Sequence, residues 1–149
     1  MRTVTIAIFD ATAEQVSARL MEYGCERVPE RYAGWNYPAG SSAVLYMSCV
    51  PYDLDREFPE EHAELLNATA GRGPQAWVHI DVSGRVPGTT EVHFVLDALL
   101  AHFAGVAFDD WTSFDHAWTL EEIQSHALVD GCAFFDYVGR HQQSKRAPN

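Results

Sequence analysis

Apolar and polar positions alternate from Thr3 to Phe9 in a β-branched stretch, which predicts a strand. The period then lengthens. Thr12-x-x-Gln15 is a capping box, in which hydroxyl and amide satisfy the first free backbone N–H groups of a helix. That helix is expected over 13–23, with Ala13, Val16, Leu20 and Tyr23 inward and Gly24 at C′. Residues 25–41 hold Pro29, Gly34, Pro38, Gly40 and several aromatics, and read as a loop with a short strand around Trp35. Residues 43–50 predict a strand that Pro51 ends. Pro59 suits the first turn of a helix reaching about Ala70, with Glu60 and Glu61 near its positive end.

The second half is more regular. Residues 76–82 predict a strand and 84–88 a turn. The helix expected from Thr90 to Ala104 carries Val92, Val95, Leu96, Leu99, Leu100 and Phe103 around much of its circumference, so it should be buried on more than one side. A short strand at 106–108 leads to a second capping box, Thr119-x-x-Glu122, which opens a helix from Leu120 to about Ser125. Residues 132–138 are apolar enough for a last strand, and 142–149 form a polar tail expected to fray.

The expected order is β-α-β-α-β-α-β-α-β. It implies an α/β (α+β) fold: one domain over 1–141, with a mixed sheet of about five strands and helices mainly on one face. A doubly wound parallel sheet would also fit the alternation, but no strand ends in a Gly-rich phosphate loop. The 149 residues suit one domain, and a hydrophobic fraction of 47% with 12% aromatics is ample for a core. No apolar run approaches the ~20 residues of a spanning helix, and no signal peptide is recognisable, so a cytoplasmic location is expected. Lys145 stands alone against nine arginines, a bias common in GC-rich bacterial genomes.

Charge sharpens the picture. The net charge is −11. Asp53, Asp55, Glu57, Glu60, Glu61 and Glu64, offset by Arg56, make one acidic run, and Asp109, Asp110, Asp115, Glu121 and Glu122 another. The remainder is almost neutral. Nucleic acids and anionic membranes need a basic footprint, so neither is an expected partner. A basic protein or a cation is favoured.

The segment 109–122 is the most unusual, with two tryptophans and a histidine among its carboxylates. It reads as an interface in which Asp109, Asp110, Trp111, Asp115, Trp118 and Glu121 contact a basic partner. The competing reading puts Trp111, Phe114 and Trp118 in the core and gives Glu121 and Glu122 a capping role. Zinc sites usually carry a tight pair such as His-x₃-His, and calcium loops a central Gly; this segment has neither, and no cofactor is implied. Cys25, Cys49 and Cys132 are odd in number and lack a CxxC pair, which makes them small core side chains. His93 and Asp97, at i and i+4, with His102 further on, form an imaginable catalytic pair without a nameable nucleophile. His79 and Asp81 share a strand face with Trp77 that could line a shallow ligand site, though a solvated face is the simpler reading.

Residues 109–123, from Asp109-Asp110-Trp111 through His116-Ala117-Trp118-Thr119-Leu120-Glu121-Glu122-Ile123, together with Gly131-Cys132-Ala133-Phe134-Phe135-Asp136-Tyr137, resemble segments of bacterial immunity proteins encoded beside polymorphic toxins. The resemblance covers about the last third of the chain. It implies a small, acidic, cytoplasmic, non-enzymatic protein that covers a toxin's active site or blocks its assembly. The rivals are a small enzyme or ligand-binding domain using His79, Asp81, His93 or Asp97, and a structural homo-oligomer subunit.

Overall fold

The computed structural model describes residues 2–52, 73–109 and 116–136. The first element is β1 (Arg2–Ile8), followed by α1 (Ala13–Glu22), which both bonds of the Thr12–Gln15 capping box open. Then come β2 (Glu26–Val28), β3 (Gly34–Tyr37) and β4 (Leu45–Pro51). After 73 the chain forms β5 (Ala76–Val82), α2 (Thr89–Leu100), β6 (Gly105–Asp109) and α3 (Leu120–Gln124).

The six strands form one sheet in the order β2-β3-β4-β5-β1-β6, and every neighbouring pair is antiparallel. The fold is α+β, with six strands where the sequence implies about five. Two of the six come from 25–41, expected as a loop with a short strand around Trp35, which folds as the hairpin β2–β3 at one edge. Arg31 fixes that hairpin: its guanidinium donates to the carbonyls of Trp35 and Met47 at 2.9 and 3.0 Å. In the other direction, 132–136 is no strand. Asp130, Gly131 and Phe135 all take positive φ, and Val129 and Cys132 bridge each other in a tight turn. The apolar run there exists because Phe134 and Phe135 pack into the core, not because they join the sheet. The helix expected at 59–70 and the polar tail lie outside the described residues.

The period-2 pattern decides the layers. Val4, Ile6 and Ile8 of β1 share a buried face with Met47 of β4 and with Val78 and Ile80 of β5. Val16 and Leu20 of α1, Leu96 and Leu99 of α2, and Ile123 of α3 cover that same face, so these helices lie on one side. Each such side chain contributes about 1.5–3 kcal/mol on burial. The opposite face is divided. Ala7, Phe9, Trp77, Val106 and Phe108 form a second apolar cluster at one end, and Thr3, Tyr46, Ser48, His79 and Asp81 follow toward the other.

β5 and β6 flank β1 and run parallel to each other, with α2 connecting them across it, a split β-α-β arrangement. The turn into α2 depends on Gly88, whose φ is +74° and whose added Cβ would lie 2.4 Å from Val82 Cγ1. Gly88→Ala combines left-handed strain with overpacking. It should lower stability by about 2–4 kcal/mol, read as a lower urea midpoint at unchanged m-value.

Candidate interaction surface

The acidic segment begins where β6 ends. Asp109 is only 1% exposed, and its Oδ2 accepts the Phe135 N–H at 3.1 Å. The carboxylate thus ties the 134–135 turn to the sheet edge. Asp110, Trp111 and Asp115 lie outside the described residues. The chain is described again from His116, and Trp118 exchanges both backbone hydrogen bonds with Ala107 at 2.8 Å, which covers part of the outer edge of β6. The Trp118 indole is 0% exposed, edge-on to Phe134 at 5.6 Å and to His116 at 4.8 Å. Asp109 and Trp118 are therefore interior residues, and of the described members of the expected interface only Glu121 is exposed.

Glu122 acts as a cap. Its Oε1 accepts the Thr119 N–H at 3.0 Å, and its Oε2 lies 3.0 Å from His116 Nε2. Partial burial pushes its carboxyl up. The Thr119 N–H, the His116 hydrogen bond and charge, and the Thr119 hydroxyl outweigh this and hold it below its ordinary 4.5. A depressed folded value means the unfolded chain binds the proton more tightly. The ionic contribution is therefore present above pH 4.5 and is lost as pH falls through the lower folded value. The stability difference between wild type and Glu122→Gln should be measurable at pH 6 and should shrink below pH 4.5, checked by thermal melts across that range.

Among the described residues, His79, His93 and His102 do not converge on one site. His79 Nε2 lies 3.2 Å from Asp81 Oδ1, which the Thr3 hydroxyl also reaches at 3.3 Å. Both side chains are open to solvent, 44% and 38% exposed, whereas Trp77 on the same face is buried in the apolar cluster. His93 is half-buried and edge-on to Phe134. Burial lowers its pKa, with Asp97 opposing and His126 reinforcing. Asp97 is turned to Gln124, whose Nε2 donates to it at 3.5 Å, and His102 rests against Phe103. Among the described residues no group of three or more His, Cys, Asp or Glu can hold a metal. All three cysteines are buried, and none is in a disulfide; burial pushes the Cys25 thiol up to about 11 and also raises Cys49, which suppresses thiolate chemistry at both.

The basic side chains complete the electrostatics. Arg2 donates to the carbonyls of Ser83, Val86 and Pro87, Arg27 to Gly34, and Arg31 to Trp35 and Met47. Arg19 reaches Ala98 O, Tyr23 Oη and Glu22, and Arg85 reaches Ser83 Oγ. Each of the five described arginines thus makes at least one hydrogen bond within the chain, Arg27 and Arg85 while exposed, and Asp10, Glu14, Glu22, Glu26, Glu30, Asp97, Glu121 and Asp130 are exposed.

One surface escapes the sequence reading. Phe94 of α2 is 38% exposed and stacks on Tyr37 at 4.9 Å, with Tyr23 edge-on at 5.8 Å. Its signal is a large aromatic off the apolar positions of α2. No protein-family model, curated protein or solved structure matches the chain. Among the described residues no helix is long and apolar enough to cross a membrane.

Proposed function

We propose that the protein is an acidic binding protein that neutralises a basic protein partner, as an immunity-type inhibitor of a cognate toxin in the bacterial cytoplasm. The observation that supports this reading is the orientation of the arginines. Among the described residues, Arg2, Arg19, Arg27, Arg31 and Arg85 donate to backbone carbonyls and neighbouring side chains, while eight carboxylates are exposed, in keeping with the net charge of −11. Such a field attracts a basic protein from a distance and raises its association rate. Inhibition then follows from covering the partner's active site or blocking its assembly, with no chemistry required of this chain.

The purified protein serves as bait in lysate of its own species, at low and at high salt. One basic protein, retained at low salt and weakened at high salt, is the expected result. Asp110→Lys, Asp115→Lys and Glu121→Lys together should then lower affinity and flatten its salt dependence. Retention of nothing basic, or binding indifferent to salt, rejects the reading.

A further inference from the structure

The cluster of Tyr23, Phe94 and Tyr37 has a chemistry that single exposed hydrophobic residues lack. Phe94 contacts both tyrosine rings and stays 38% exposed. Carboxylates surround it. Glu91 and Asp97 sit three residues either side of Phe94 on α2, so both are its neighbours on the helix surface. Glu22 precedes Tyr23 and its side chain is 65% exposed. Burial, then Cys25 and Glu91, push the Tyr37 phenol above its ordinary range, in keeping with a negative charge close by.

The cluster already holds one guanidinium. Arg19 lies 4.5 Å over the Tyr23 ring, donates to Tyr23 Oη at 3.0 Å and bridges to Glu22 at 3.2 Å. Ring faces attract cations, and a planar guanidinium stacks and forks to a carboxylate in ways an ammonium does not. We propose that Tyr23, Phe94 and Tyr37, with Glu22, Glu91 and Asp97 beside them, form the patch on which arginine side chains of the basic partner dock. This rests on the binding-protein reading above and moves its centre from the 109–122 segment to the α1–α2 surface.

The probes are a peptide of alternating Arg and Gly and its Lys counterpart, titrated at low salt into isotope-labelled full-length protein. Amide shifts should centre on residues 22–23, 37 and 91–97, and the Arg peptide should bind more tightly than the Lys peptide. Phe94→Ser should weaken the Arg peptide by about fivefold. Glu91→Gln with Asp97→Asn should lower the salt dependence while leaving the aromatic rings in place, so the test survives if Phe94→Ser fails to fold. Shifts centred elsewhere, such as at Glu121, overturn the patch and leave the basic-partner reading standing. Equal Arg and Lys affinities that Phe94→Ser does not change also overturn it. No binding of either peptide overturns the patch, while the basic-partner reading stands or falls with the salt-dependent capture.

Discussion

Asp109→Lys is expected to destabilise the fold severely rather than to trim a surface contact. The position is 1% exposed, and the carboxylate accepts the buried Phe135 N–H at 3.1 Å. Lysine removes that acceptor and places an ammonium where water does not reach. Orphaning a buried charge costs about 3–5 kcal/mol, a large part of the ~5–15 kcal/mol that holds a domain of this kind together. Asp109→Asn keeps an acceptor oxygen at the same place and should cost less. Urea denaturation distinguishes the two: a wild-type midpoint for Asp109→Lys would mean that the carboxylate faces solvent. The result bears directly on how the interface is tested. Loss of binding in a variant carrying Asp109→Lys reports on folding, so charge reversal belongs at Glu121 and at Asp110 and Asp115.

Trp118→Ala should be comparably damaging. The indole is 0% exposed, lies in the same cluster as Val4, Leu96 and Leu99, and meets the edges of Phe134 and His116. Truncation of a buried tryptophan costs about 3–5 kcal/mol, part lost transfer energy and part cavity. Trp118→Phe should cost clearly less. It keeps most of the ring volume, and the indole N–H it removes has no hydrogen-bond partner among the described residues. Thermal unfolding of the two variants side by side tests this; equal melting temperatures would place the indole outside the core.

Elements that follow from local rules are legible in the sequence. Residues 76–82 are a strand to the residue, and both capping boxes open their helices with both bonds made. The helix expected over 90–104 stops at Leu100, because the chain must leave it to enter β6. What is not legible is partnership. The apolar run at 132–136 has strand-like composition, but positive φ at Phe135 and a neighbouring tight turn deny it a ladder. Asp109 belongs by composition to a surface acidic run, and only the return of Phe135 across the sheet edge makes it internal. Tyr23, Tyr37 and Phe94 are far apart in the chain, and the packing of α1 beside α2 assembles them.

The position of β1 has a consequence for how the molecule comes together. The strand at 2–8 sits between β5 and β6, whose residues follow it by about 70 and 100 positions. Its ladder with β5 waits for residues 76–82 and its ladder with β6 for residues 105–109, and each closure joins distant parts of the chain. Folding that depends on such non-local pairing is slow. On the ribosome, the apolar residues of 4–8 must wait unpaired through most of synthesis, open to capture by chaperones or by another nascent chain. Shortening the chain anywhere before Asp109 should therefore do more than remove an edge strand, because it strips one side of the strand around which the sheet is built.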